Sequence, residues 1–384
     1  MASSRGQILP KGYGFLVRIY IGRDTTGKRN YQNQKVTGTK KDAEKVLTAM
    51  LRKLDTGELL HEPSRLSVKE YLEHWLETAA KPKLTARTLQ DYTGVLERYV
   101  YPAVGSGKLS KLAPVDIQAL YAKMLSAKFK GGYGLTPRTV INTHRVLSSA
   151  LKQAVKWRML TQNVCQYVDL PKRQKTEMKA LSEVEVGRFL VAAKNSKHRI
   201  LFTVMLGTGF RPGEALALMW KDFDPVGRTL TVQRALETVH GKHYFKTPKT
   251  PHSRRTIKLP DNLVKLLLEH KALLPFDSEL IFPSLENTPL GEGNVVKRYF
   301  KPLLTVAGLP STVRFYDLRH THATLLLKAG VHPKIVSERL GHSSITLTLD
   351  TYSHILPGMQ DEAANKLDVM LFGTPETVET PAYN

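Results

Sequence analysis

A chain of 384 residues exceeds the usual size of one hydrophobic core, so two or three domains are expected. Its 41% hydrophobic content excludes a disordered polymer, and the single cysteine, Cys165, excludes a disulfide framework or a cysteine-built metal site. With 57 Lys and Arg against 34 Asp and Glu the formal charge is +23, a self-repulsion best offset by a polyphosphate backbone.

The opening residues, MASSRGQILPKG, lack the apolar run of a signal peptide. From there to about residue 60 the pattern is that of a small α+β unit. Phe15, Val17, Ile19 and Ile21 alternate with Leu16, Arg18 and Tyr20, the two-residue period of a half-buried strand. RDTTGK at 23–28 predicts a turn and RNYQNQKV at 29–36 a returning strand. Thr39 then caps a helix on which Ala43, Val46, Leu47, Met50, Leu51 and Leu54 form one apolar stripe, closed by Gly57. Residues 1–60 carry 12 Lys and Arg against 5 Asp and Glu. Two readings are open: a stabilising cap with a solvated basic face, or a sheet that meets DNA through residues such as Arg18 and Arg29.

GELLHEPSRLS at 57–67 reads as a linker, and an all-helical segment, 66–170, follows. Ser67 and Glu70 form a capping box ahead of Val68, Tyr71, Leu72, Trp75 and Leu76 on one face. A second helix follows Thr85, a third runs near Val115–Leu125, and a long fourth starts at Thr136-Pro137 with Val140, His144, Leu147, Leu151 and Ala154 aligned. His144 reads as a packed helix histidine. Lys81, Lys83, Arg87, Arg138 and Arg145, with Lys128, Lys130 and Lys152, repeat one sign across several helices. That is a solvated face on the plain reading and a phosphate-facing one on the functional reading, with the first five as the expected DNA contacts.

LPKRQKTEMKA at 170–180 reads as a second linker into a mixed segment, 178–372, with a tail at 373–384. Ser182 and Glu185 make another capping box, and helices are predicted through Trp220. The longest apolar stretch, around Ile200 to Leu206, is far too short to span a bilayer. RTLTVQR at 228–234 and RRTIKLP at 254–260 read as strands flanking a Gly/Lys/Pro-rich connection, and helices are expected from Asp261 to Met370. GMQDEAANKLDVMLF at 358–372 reads as a terminal helix, packed on its own domain or docked on a neighbouring copy. The fold class is therefore multidomain: a small sheet plus helix (1–60), an all-α domain (66–170), and a mainly α domain with a small antiparallel sheet (178–372).

Four islands in this last segment hold residues suited to chemistry. GTGFRPGEALAL contains Arg211 and, three residues on, Glu214; KTPKTPHSRRTIKL contains Lys249 in a predicted hairpin turn; RFYDLRHTHAT contains Arg319; ERLGHSSITLTLDTYSHI contains His342 and Tyr352. Each has a plain explanation alone: a surface ion pair, a turn lysine, a core tyrosine. His320 and His322 invite a metal reading, but two residues apart on a helix they diverge, so no metal site is expected.

Together and in this order the islands resemble those of the tyrosine recombinase, or phage integrase, family. Its TGxRxxE turn and helix match Arg211 and Glu214, its hairpin lysine matches Lys249, and its HxxR arginine matches Arg319. Its LGH and TxxTYxH elements match Leu340-Gly341-His342 and Thr348 through His354, with ten residues from His342 to Tyr352. The chain departs from the pattern at one place: Tyr316 stands where HxxR usually has histidine. A phenol, with an ordinary pKa near 10, can hydrogen-bond phosphate but cannot shuttle protons near neutrality as imidazole can.

The resemblance implies a site-specific recombinase that cuts and rejoins DNA through a 3′-phosphotyrosyl link on Tyr352. Arg211 and Arg319 would grip the non-bridging oxygens and, close to the Tyr352 phenol, lower the cost of its ionisation, and Glu214 would orient Arg211. Lys249 would protonate the departing 5′-oxygen, and His342 would hydrogen-bond the phosphate. No metal, ATP or other cofactor is expected, in keeping with the lack of a GxxxxGK[ST] loop. The helical segment resembles the family's core-binding domain, and residues 1–60 the arm-binding domain of lambda-like and conjugative-transposon integrases. Implied partners are double-stranded DNA with core and arm sites, three further copies in a synaptic homotetramer, an excisionase and a DNA-bending host factor, with no membrane, in the cytoplasm at the nucleoid. A type IB topoisomerase-like enzyme and a non-catalytic DNA-binding regulator are the alternatives.

Overall fold

The structure is a computed structural model, and it describes residues 6–23, 27–55, 66–126, 134–173, 178–247, 254–352 and 359–373. The chain divides into two compact units, Met1–Lys175 and Thr176–Asn384.

The first unit holds two separate apolar clusters. One lies under an antiparallel sheet of β1 (Gly6–Lys11), β2 (Gly14–Arg23) and β3 (Arg29–Thr37), covered by α1 (Lys40–Asp55). The alternation read in the sequence places Val17 and Ile19 beneath the helix, where Ala43 and Met50 meet them. The other cluster fills a helical bundle: α2 (Val68–Trp75), α3 (Ala86–Val95), α4 (Tyr101–Val104), α5 (Pro114–Leu125) and α6 (Pro137–Lys156). The Ser67–Glu70 capping box is formed, and the Thr85 and Thr136 hydroxyls cap α3 and α6. His144 packs edge-on against Tyr121, its Nδ1 3.1 Å from the phenol oxygen. Gly57, and Lys128 and Lys130, lie outside the described residues.

The second unit opens with α7 (Glu183–Ala192), behind its Ser182–Glu185 capping box, then α8 (Arg199–Thr208) and the single turn α9 (Pro212–Ala215). Short strands β4 (Phe223–Asp224), β5 (Thr229–Val232), β6 (Ala235–Val239), β7 (Lys242–Lys246) and β8 (Arg255–Lys258) follow. The two predicted strands pair with each other, Thr229 opposite Lys258 and Val232 opposite Arg255, in the sheet β4-β5-β8. The connection between them holds a hairpin of its own, β6-β7, turning at His240-Gly241, both with positive φ. Lys249 comes after that hairpin, outside the described residues.

Helices return at α10 (Asp261–Ala272) but do not run on as expected. Residues 273–290 form turns and isolated bridges, Met219 with Leu280 and Pro283 with Pro289, because Pro275, Pro283 and Pro289 withhold the amides a helix needs. Then come α11 (Glu292–Val295), α12 (Lys301–Val306), α13 (Asp317–Lys328), α14 (Pro333–Leu340), α15 (Ile345–Tyr352) and α16 (Met359–Phe372). Phe189, Phe202, Phe300 and Phe315 interlock at ring separations of 5.4 to 6.0 Å and centre the core. Packing of α13 on α8 fixes the site described next. The described side chains of α16, among them Leu367, Met370, Leu371 and Phe372, are exposed, so the self-packed reading of that helix does not hold.

A candidate active site for phosphate chemistry

At two helices of the second unit that end in a glycine with positive φ, the glycine receives an arginine. Gly209 (φ 67°) closes α8, and its carbonyl accepts from Arg319 Nη1 at 2.9 Å. Gly341 (φ 64°) closes α14, and its carbonyl accepts from Arg211 Nη2 at 3.3 Å. A side chain at either position would strain the backbone and collide: a Cβ at Gly209 would lie 2.5 Å from His322, and one at Gly341 2.9 Å from Arg255. The glycines of TGxR and LGH thus serve to bring helix ends up to the guanidiniums.

Arg211 precedes α9, and its Nη1 donates to Glu214 Oε1 at 2.6 Å. Glu214 is 4% exposed, so the pair is buried rather than the surface pair of the plain reading. Its other oxygen accepts from the Arg211 amide at 3.0 Å and from Arg255 Nη2 at 2.8 Å. Burial works against ionisation of Glu214, but Arg255 and Arg211 outweigh it and hold the carboxyl below its usual range. Burial also opposes the charge on Arg211, and Glu214, then the Tyr316 hydroxyl beside it, more than offset that.

Arg255 escaped the sequence reading. It sits on β8, donates from Nε to the Arg339 carbonyl at 2.6 Å, and stacks 5.1 Å from the Phe210 ring centre. Arg339 in turn reaches the carbonyls of Lys258 and Gly207, each at 3.3 Å. An arginine doublet in a strand gives no periodic or motif signal of such a role. Its partners are 41 and 84 residues away in sequence.

Arg319 is 1% exposed, and its Nη2 has no hydrogen-bond partner among the described residues. Burial, then the nearby charges of Arg211 and Arg255, pull its pKa down to about 10, still fully cationic at neutrality. His342 Nδ1 lies 2.8 Å from the Thr348 hydroxyl. Burial and then Arg319, Arg211 and Arg255 depress the imidazole to about 4, so it is neutral. Tyr316 is 37% exposed at the head of α13, with its ring 5.2 Å from that of His320.

Tyr352 departs from expectation. Its phenol was expected to face the two guanidiniums with its ionisation eased; it is 2% exposed, with the hydroxyl 2.7 Å from Nδ1 of His320. Burial pushes its pKa up, and the Arg319 charge opposes but does not cancel the rise. Apolar cover therefore outweighs cation proximity in this state. The two histidines of HTH diverge as helix geometry requires: His320 meets Tyr352, while His322 Nδ1 meets the Leu206 carbonyl at 2.7 Å. No cluster of three or more His, Cys, Asp or Glu able to hold a metal occurs among the described residues.

In the first unit the expected DNA contacts are dispersed. Arg18 is half-buried on β2, its Nε 2.9 Å from Asn33 Oδ1 and its guanidinium 5.4 Å from the Tyr31 ring centre. Arg29, Lys83, Arg138 and Arg145 are exposed, and Lys81 and Arg87 pair with Glu77 and Asp91 one helical turn away. Among the described residues no helix is long and apolar enough to cross a membrane.

The chemistry available is anion binding by a cation-rich, partly buried cluster beside a phenol. A family model described as "Phage integrase family" matches residues 179–358, and one described as "Phage integrase, N-terminal SAM-like domain" matches 67–125. The chain is 28% identical to a tyrosine recombinase XerC-like protein of Caldanaerobacter subterraneus subsp. tengcongensis, covering 92% of this chain and 95% of that one. It is 26% identical to the ICEBs1 integrase of Bacillus subtilis over 93% of this chain and 97% of the relative. In fold it is similar to the Tn1549 transposon integrase solved with a circular intermediate DNA, with a TM-score of 0.66, 22% identity, and 79% and 99% of the two chains covered.

Proposed function

This chain belongs to the phage integrase family and is a site-specific tyrosine recombinase, and on that premise we propose that Tyr352 attacks a DNA phosphodiester held by Arg211 and Arg319. The supporting observation is the imbalance of charge around the site. Two guanidiniums, of Arg211 and Arg255, pair with the buried carboxylate of Glu214, a third, of Arg319, lies within electrostatic reach of them, and its Nη2 is buried with no hydrogen-bond partner among the described residues. A buried donor left unpaired costs about 1–3 kcal/mol, which a phosphate oxygen would relieve. The two guanidiniums stabilise the charge added to the non-bridging oxygens as phosphorus becomes five-coordinate. Glu214 orients Arg211, neutral His342 donates a hydrogen bond to the phosphate, and Lys249 protonates the departing 5′-oxygen. Tyr316 hydrogen-bonds the phosphate or Arg211 and moves no proton.

The same proposal assigns the rest of the chain. Residues 66–170 hold the core site, 178–372 carry the chemistry, 1–60 bind arm-type DNA, and 373–384 form a tail. Exchange between two duplexes breaks four strands and each copy has one nucleophile, so the working assembly is a homotetramer, with the exposed α16 available for contact between copies. An excisionase and a DNA-bending protein would act with the arm domain, in the cytoplasm at the nucleoid. The full-length likeness to recombinases disfavours both a relaxing topoisomerase and a non-catalytic regulator.

The test is covalent trapping on nicked target DNA with chelator present. Wild-type protein gives a detergent-resistant protein–DNA adduct and Tyr352→Phe gives none. An adduct with Tyr352→Phe, or loss of the wild-type adduct in EDTA, would refute the proposal.

A further inference from the structure

Among the described residues the Tyr352 hydroxyl has one polar neighbour at hydrogen-bond distance, and it belongs to a residue so far without a role: His320 Nδ1, 2.7 Å away. The residue following Arg319 on α13 therefore touches the oxygen assigned as nucleophile, while Arg319 itself faces the Gly209 carbonyl. The imidazole lies between two phenols, 5.2 Å from the Tyr316 ring and 5.9 Å from the Tyr352 ring, and is itself 9% exposed.

We propose that His320 is a catalytic base, taking the phenol proton of Tyr352 as that oxygen attacks phosphorus. The inference rests on the reading of Tyr352 as nucleophile. In the step, the bond from Tyr352 Oη to phosphorus forms and the bond from phosphorus to the 5′-oxygen breaks. The phenol proton passes to His320 Nδ1, and the departing oxygen takes a separate proton from the acid on its own side. In the reverse step the imidazolium returns its proton to the phenol oxygen, so His320 ends each cycle unchanged.

The surroundings fit a base rather than a fixed cation. Burial is the main cause that holds His320 to about 4, so at neutral pH the imidazole is uncharged and, with its proton on Nε2, presents a lone pair to the phenol. The charged and titratable groups that face it are Asp317, Arg314, Arg319 and Tyr316 from α13 and its lead-in, and Tyr352 and His342 from the elements packed against it. Of these, Asp317 favours the imidazolium while Arg314 and Arg319 oppose it. A phosphodiester bound by Arg319 offsets that opposing charge, so basicity at His320 rises when substrate arrives.

His320→Asn provides the test, because the amide oxygen sits near the position of Nδ1 and still accepts from the phenol but cannot take its proton. Single-turnover adduct formation is followed on DNA with a 5′-bridging phosphorothiolate, whose thiolate leaves without a proton, so only activation of the nucleophile is read. A wild-type adduct abolished by Tyr352→Phe is established first, which separates failure of this inference from failure of the nucleophile assignment. With DNA affinity unchanged, His320→Asn is expected to slow the step about a hundredfold. Its rate should climb nearly tenfold per pH unit from about pH 6 to 9 as the unaided phenol ionises, while the wild type stays flat. A variant as fast as wild type, or one that is slow but equally flat, overturns the proposal. If Asn does not support folding, His320→Gln is read by the same two criteria.

Discussion

Arg255 shows how much of the site is carried by a residue that never nears the phosphorus in the proposed reaction. Its side chain is 7% exposed and ties Glu214 to the end of α14 through the Arg339 carbonyl. Removing one partner of a buried ion pair leaves the other charged and less solvated, typically costing about 3–5 kcal/mol. Glu214 keeps Arg211, so Arg255→Met is expected to lose about 3 kcal/mol in urea unfolding and to weaken adduct formation. Lys334→Met, which breaks an exposed pair with Glu338, should change stability by less than about 0.5 kcal/mol. Equal losses for the two would remove the case for Arg255. At this scale the sequence was legible where a residue type stands in a recurring pattern, as with Arg211, Arg319, His342 and Tyr352. It was silent on Arg255 and on the His320–Tyr352 contact, since those depend on side chains meeting across 41 and 32 residues of chain. The state of the Tyr352 phenol was misjudged for a related reason: nearby cations could be read from motifs, whereas burial could not.

Among the elements, the two helix-ending glycines do most to assemble the site. Gly209→Ala would force a side chain into the left-handed region and place its Cβ 2.5 Å from His322 and 2.8 Å from Leu340. A loss of about 2–3 kcal/mol is expected from backbone strain and overpacking together. Gly187 makes the opposite case, lying inside α7 with open space around it, so Gly187→Ala should stabilise by about 0.5–1 kcal/mol. Thermal unfolding of the pair should move the midpoint in opposite directions, and a shared direction would contradict this account of the turn. Strands and capped helices were legible because period and cap residues are local: β5, β8, and the helices behind Ser67, Thr85, Thr136 and Ser182 all form. The β6-β7 hairpin was missed because His240 takes positive φ without advertising it, and the helical reading of 273–290 underweighted three prolines.

At the scale of the whole molecule, separate apolar clusters and a charge of +23 frame a division of labour. The basic sheet and helix of residues 1–60 pack around their own small core, so a chain beginning at residue 66 should retain the chemistry. It is expected to form adduct on core-site DNA within about tenfold of the full chain while losing affinity for a second, distinct sequence, a loss measured as a missing salt-dependent binding isotherm. Unchanged binding to every sequence would refute the arm assignment. Composition and linker content gave reason to expect several domains and a polyanionic partner. They could not reveal which surfaces meet DNA, because exposed lysines and arginines are spread over both units and many pair locally with acids.

The central claim is that one phenol becomes an ester of DNA, and peptide mapping reads it directly. Digestion of the trapped adduct by protease and nuclease, followed by mass spectrometry, should place a 3′-linked nucleotide on Tyr352 and on no other residue. The same nucleotide found on Tyr316, or on any serine, histidine or lysine, would contradict the account.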